Sequence, residues 1–353
     1  MRFPFLTSNY DLLIVNSDLK TELIPGPFLG WDTYFNNLDS HDHNNNFQAI
    51  VRYTPDENAI VTGIAKETEK GLDLNARLET QFRIRKVVIT DNYPRFVGGL
   101  ILTCENELHF FSFNPLDENS KTVYLLEKNI FDVVGLLEFA LEIVVLTIDG
   151  YAFKLELSLA EEHRLVSLFS DPAPKIQQIT GTRCSASLLT SNGETYVFGY
   201  VLHSMYDFIS EHYTEQQIDK SINDGKPLLI PNLSPARQVV LMFKNMIALG
   251  LDDQLQIRGD NTSRDEAVVF PKLVSNIASV YATNNVCFCI NTAGEYEVYY
   301  DGRLASGNPV ACFWASEMKE ILTQYKVLLP SRILNFGRRT KSARNTCDHE
   351  GDK

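Results

Sequence analysis

Residues 188–199 read Leu188-Leu189-Thr190-Ser191-Asn192-Gly193-Glu194-Thr195-Tyr196-Val197-Phe198-Gly199. An apolar run, a two-residue Asn-Gly turn that supplies positive φ, and a run of β-branched and aromatic residues predict a β-hairpin. The plan recurs along the chain. FLTSNYDLLIVN (5–16) matches it almost letter for letter, and RYTPDENAIVTG (52–63), ILTCENELHFFS (101–112), VLTIDGYAFKLE (145–156), ALGLDDQLQIRG (248–259) and CINTAGEYEVYY (289–300) keep the same apolar, turn, apolar order. With Thr190 as reference, the copies fall at Thr7, Thr54, Thr103, Thr147, Thr190, Gly250 and Asn291, at intervals of 47, 49, 44, 43, 60 and 41 residues.

Several units carry a further strand-like segment upstream, at Val87–Thr90, Phe131–Val134, Lys175–Ile179, Arg237–Leu241 and Ile277–Val280. Period-2 patterning dominates these segments, and helical periodicity is scarce. A β unit of about 45 residues cannot bury both faces alone, and radial arrangement as blades leaves only short, protected edges. The expected fold is therefore all-β, a seven-bladed β-propeller over residues 1–315, followed by a helix and basic tail over 316–353. The first unit lacks an upstream strand. We expect the ring to close by pairing the first strand with a segment within Val310–Trp314.

The bulk composition narrows the function classes. The chain has 353 residues, 44% of them hydrophobic, and 45 acidic against 32 basic side chains give a formal charge of −13. Such a field repels phosphate backbones and anionic membrane faces, so direct nucleic-acid binding and membrane association are not expected. The amino terminus, MRFPFLTSNYDLLIV, is interrupted by Asp11 and has no small-residue cleavage site, so an intracellular protein of the cytoplasm, the nucleus or both is expected. The six cysteines (Cys104, Cys184, Cys287, Cys289, Cys312, Cys347) form no C-x-x-C pair and read as small buried hydrophobes. In a strand, Cys287 and Cys289 would face the same side, but no second pair or His cluster accompanies them as a zinc site requires. The sequons at Asn232 and Asn261 lack a secretory context and read as chance.

The order strand, Gly-x-x-x-Ser, aliphatic-aliphatic-Thr, turn Gly, aromatic strand, Gly in Gly181–Gly199 resembles the repeat of the regulator of chromosome condensation family, with Cys184 where that family usually has His. Thr62-Gly63 with Gly71-Leu72, and Gly259-Asp260-Asn261, resemble parts of the same repeat's glycine-rich turn. Trp-Asp and kelch repeats fit less well, for want of the Gly-His and Trp-Asp signatures and of recurring Gly-Gly doublets. The resemblance implies a seven-bladed propeller serving a protein partner. A founding activity of that family, guanine-nucleotide exchange on a small GTPase, is the alternative function, although no residue here maps onto an exchange site.

The long interval contains the insertion, residues 201–236. Its middle, Met205–Ile222, has apolar residues at 205, 208, 209 and 213, the spacing of one helix face, and reads as a short helix between blades five and six. Insertions in repeat arrays map to one face, often the binding face. We therefore take Tyr206, Phe208, Glu211, His212 and Tyr213 as candidate partner-binding residues. His41-Asp42-His43 with Asn44–Asn46 reads as a polar loop, Arg83-Ile84-Arg85-Lys86 as a solvated strand face, and Ala315–Leu329 as a helix stopped by Pro330. Arg338, Arg339, Lys341 and Arg344 form a basic cluster in the tail, of the kind used for nuclear import. No Gly-x-Ser-x-Gly elbow, Walker loop, His-Glu-x-x-His or kinase motif set occurs. No catalytic, cofactor-binding or metal-binding residue is predicted. The expected role is a non-catalytic scaffold or adaptor, a subunit or regulator of a larger complex.

Overall fold

The computed structural model describes residues 2–16, 18–36, 47–62, 71–93, 96–114, 117–136, 142–157, 163–182, 184–242, 244–259, 273–282, 286–300 and 310–328. Seven antiparallel sheets follow one another along the chain. Blade one uses β1 (Arg2–Thr7), β2 (Leu12–Asn16) and β3 (Thr21–Ile24), and blade two uses β4 (Gly30–Asn36), β5 (Phe47–Tyr53), β6 (Ala59–Thr62) and β7 (Leu72–Asp73), followed by helix α1 (Leu74–Leu78). Blade three is β8 (Ile84–Tyr93), β9 (Phe96–Thr103), β10 (Leu108–Asn114) and β11 (Asp117–Glu127). Blade four is β12 (Ile130–Leu136), β13 (Glu142–Thr147), β14 (Ala152–Leu157) and β15 (His163–Ser167). Blade five is β16 (Ile176–Gly181), β17 (Ser185–Thr190), β18 (Thr195–Gly199) and, after α2 (Val201–Ser204), α3 (Tyr206–Ile209) and α4 (Glu215–Asn223), β19 (Leu228–Leu229). Blade six is β20 (Ala236–Leu241), β21 (Asn245–Gly250), β22 (Leu255–Gly259) and β23 (Leu273–Val274). Blade seven is β24 (Ile277–Ala282), β25 (Val286–Asn291) and β26 (Tyr296–Tyr300), with α5 (Val310–Gln324) and β27 (Val327–Leu328) closing the described chain. The molecule is a seven-bladed β-propeller.

The seven hairpins sit between the second and third strands of their blades, at the seven reference positions. In each copy the residue three places after the reference has positive φ: Tyr10, Glu57, Asn106, Gly150, Gly193, Asp253 and Gly294. The turn differs from the Asn-Gly reading in one respect. Thr190 N donates to Glu194 O at 2.9 Å and Gly193 N to Thr190 O at 3.1 Å, which makes a three-residue loop with only its last residue left-handed. The recurring threonine has a local reason. Its Oγ1 accepts the backbone N–H four residues on, from Asp11, Asn58, Glu107, Tyr151 or Glu194, and Asn291 Oδ1 does the same for Glu295.

This turn also joins neighbouring blades. The carbonyl of the left-handed residue accepts the N–H that opens the next blade: Tyr10 from Phe28, Glu57 from Ile84, Asn106 from Ile130, Gly150 from Ile176, Gly193 from Ala236 and Asp253 from Ile277, at 2.5–3.0 Å. Side chains add further clips between first strands. Gln178 Nε2 donates to Val239 O and Gln238 Nε2 to Val280 O, both at 2.8 Å. Lys86 pairs with Asp132 at 2.7 Å, and Arg85 lies over the Phe131 ring while donating to Ile130 O. The expectation of a solvated face at Arg83–Lys86 is thus corrected for Arg85 and Lys86, because the next blade lies against them.

The hydrophobic core is divided into seven clusters, one between each pair of adjacent blades. Successive residues of one strand serve opposite interfaces: Leu188 packs between blades four and five, Leu189 between five and six. Burial on both faces explains why β17 reads as a continuous buried run rather than an alternating one.

Ring closure differs from expectation. Val310–Trp314 is the start of α5, and the closing strand is β27, which pairs with β1 at Leu6↔Leu328 and Thr7↔Val327. Ser8 N donates to Lys326 O at 3.0 Å as Thr292 N does to Asn276 O at 2.7 Å, so Val327 occupies in blade one the place of Ile277 in blade seven. Helix α5 begins five residues before the expected Ala315, ends at Gln324, and packs Met318 and Leu322 into the cluster between blades seven and one. The His41–Asn46 run, Gly63, Asp260 and Asn261, Cys347 and the basic cluster Arg338–Arg344 lie outside the described residues.

Candidate protein-interaction site

The insertion lies inside blade five, between its third and fourth strands, and not between blades five and six: Val197 of β18 pairs with Leu228 of β19 beyond the helices. Gly199 turns the chain out of β18. Its φ is +93°, and a Cβ there would meet Cys184 O at 2.3 Å, so only glycine fits this approach. Tyr200 N then donates to Cys184 O at 2.9 Å and Val201 N to Ser185 Oγ at 2.8 Å, which fixes the start of α2.

Three short helices form where one was expected. Helix α4 is opened by a capping box in which Thr214 Oγ1 accepts from Gln217 N and Gln217 Oε1 accepts from Thr214 N. Val201, Leu202, Met205, Ile209 and Ile218 are buried with Leu189 and Val197 of blade five and Val239, Met246 and Ala248 of blade six. One apolar cluster thus holds the helices against two blades. The insertion is further fastened at its rim. Tyr213 Oη donates to Leu229 O at 2.7 Å, the Arg258 guanidinium lies 5.0 Å from the centre of the Phe208 ring, and Arg258 Nη2 donates to Asn232 O at 3.3 Å. His212 Nε2 stands 3.4 Å from Asn232 Nδ2. Burial pushes the Tyr213 phenol up and holds the Arg258 guanidinium below its ordinary range.

The five candidate residues divide accordingly. Tyr206, Glu211 and His212 are exposed, as are His203, Asp207 and Ser210. Phe208 and Tyr213 are half-buried and pack against the apolar cluster. Sequence reasoning missed Arg258 and Asn232. Neither carries a local signal, since both meet the insertion only when blade six closes against blade five.

Elsewhere, Cys287 and Cys289 face the same side of β25 with sulfurs 3.6 Å apart, both buried. Among the described residues no three His, Cys, Asp or Glu side chains converge, and no helix is long and apolar enough to cross a membrane.

No protein-family model matches the sequence, and no curated protein matches it. Among solved structures the fold is similar to human WBSCR16, with 10% identity and a TM-score of 0.51 over 71% of this chain and 74% of that one. Prp20p from Saccharomyces cerevisiae aligns at 12% identity and a TM-score of 0.46, over 72% of this chain and 70% of its own. At such identities the likeness concerns the fold alone.

Proposed function

We propose that this chain is a non-catalytic protein-interaction scaffold, a subunit or regulator of a larger complex acting in the cytoplasm, the nucleus or both, and that the insertion of blade five is its partner-binding element. One observation carries the reading: the insertion is held by a buried apolar cluster shared with two blades, yet it turns Tyr206, Asp207, Glu211 and His212 to solvent. A pre-ordered element loses little entropy on docking, and aromatic side chains supply interface energy. The test is affinity purification from the native cell with quantitative mass spectrometry. Wild type is compared with the triple variant Tyr206→Ala/Glu211→Arg/His212→Ala, whose sites are exposed and whose circular dichroism should match wild type. A stoichiometric partner recovered by wild type and reduced at least tenfold by the variant is expected, about 1.4 kcal/mol or more of binding energy. Equal recovery by both proteins moves the interface off the insertion, and absence of any stoichiometric partner rejects the scaffold role.

A further inference from the structure

Arg52, in the second strand of blade two, is 7% exposed, yet none of its guanidinium nitrogens has a hydrogen-bond or ion-pair partner among the described residues, and Nε is fully buried. The side chain lies between blades one and two. Its guanidinium is over the Phe28 ring, 5.4 Å from the centroid, and backs onto Gly71, where a Cβ would stand 2.6 Å from Nη2. Glycine at 71, with φ +94°, thereby leaves room for the fork that any other residue would fill. The carboxylate acting on Arg52 through space is that of Glu22, exposed on β3 and outside hydrogen-bond reach of it. Contrast Arg85 and Arg237, whose guanidiniums each donate to carbonyls of the next blade.

A guanidinium is charged at every physiological pH, and a buried charge without hydrogen-bond partners costs several kcal/mol. Carboxylate and phosphate groups satisfy its planar fork with two parallel bonds. We propose that Arg52 is the centre of a small-oxyanion site between blades one and two, taking a carboxylate or phosphate group against the Phe28 ring and the Gly71 backbone. The site stands on a different pair of blades from the insertion and does not depend on the role assigned to it.

The experiment is calorimetric titration of wild-type protein, exchanged into chloride buffer of matched ionic strength, with inorganic phosphate in one arm and acetate in the other. Saturable binding of one probe with a Kd in the millimolar range or tighter is expected, and the arm that binds identifies the oxyanion class. Arg52→Met should abolish it, and Arg52→Lys, which keeps the charge but not the fork, should weaken it at least tenfold. In the chloride buffer, free of oxyanions, Arg52→Met should melt no lower than wild type, because an uncompensated charge is replaced by an apolar side chain. Glu22→Gln should tighten binding by removing the neighbouring negative charge. No saturable binding of either probe to wild type, equal binding by Arg52→Met, or a melting temperature lowered by Arg52→Met in the oxyanion-free chloride buffer would each overturn the proposal.

Discussion

Replacing Gly199 by alanine tests how tightly the turn that leads into the insertion is built. Two costs arise. An L-residue at φ +93° pays about 1–2 kcal/mol for the left-handed backbone. The new Cβ would also lie 2.3 Å from Cys184 O and 2.8 Å from Ser185 Cα, both backbone atoms, so the turn itself must shift. That shift strains the Tyr200 N to Cys184 O and Val201 N to Ser185 Oγ hydrogen bonds, each worth about 1 kcal/mol. The expected loss for Gly199→Ala is about 3–4 kcal/mol. Gly294 is the control: its φ is +84°, but nothing lies within 4 Å of a Cβ there, so Gly294→Ala should lose only the backbone cost, about 1–2 kcal/mol. Equilibrium urea unfolding followed by circular dichroism measures both, and limited proteolysis reports whether cleavage concentrates within 201–227. Equal losses for the two variants would refute the close-approach argument and leave Gly199 an ordinary turn residue.

Other perturbations probe the blade interfaces. Lys86→Met leaves the Asp132 carboxylate without its ammonium partner at 14% exposure and should cost about 2–3 kcal/mol, whereas Lys86→Met/Asp132→Leu should recover most of it; a double variant no more stable than the single one would show that the stranded carboxylate is not the source of the loss. His109 is buried beside the Phe82 ring, and burial, opposed by the Glu107 carboxylate, pushes its imidazole below 6.5. The unfolded chain then binds the proton more readily than the folded one, so this residue's contribution is present above about pH 6.5 and lost as pH falls below it. Urea midpoints measured from pH 7.5 to 5.5 should decline less steeply in His109→Gln than in wild type, and parallel slopes would reject that assignment.

The candidate site was legible only in part. The apolar spacing of Met205, Phe208, Ile209 and Tyr213 marked a helical segment, and Met205 and Ile209 do face the core. It did not mark where that segment breaks, because the chain turns at Met205 and again between Ser210 and Thr214 to follow the curved flank of two blades. Nor could it separate Tyr206 from Tyr213, two tyrosines in similar company, of which one is exposed and the other bonded to a strand carbonyl.

What the sequence by itself determined is whatever is decided within a few residues. A threonine whose hydroxyl accepts the N–H four places on, followed by a left-handed position and a β-branched strand, is local chemistry, and it recurs often enough to give the number of blades and their phase. Three of the seven left-handed positions are glycine and two are Asn106 and Asp253, residue types that tolerate such backbone. Tyr10 and Glu57 adopt it in the same turn, each with its carbonyl bonded to the next blade. Tertiary structure decided the rest. Val327-Leu328 is too short to announce a strand and becomes one because blade one has an empty edge beside β1. Leu228-Leu229 pairs with β18 across an intervening stretch of helices. Lys86 and Asp132, or Arg52 and Gly71, meet through closure of the ring and of a single blade, respectively. Such contacts depend on which surfaces are left over once the local units have formed, and no window of sequence contains that information.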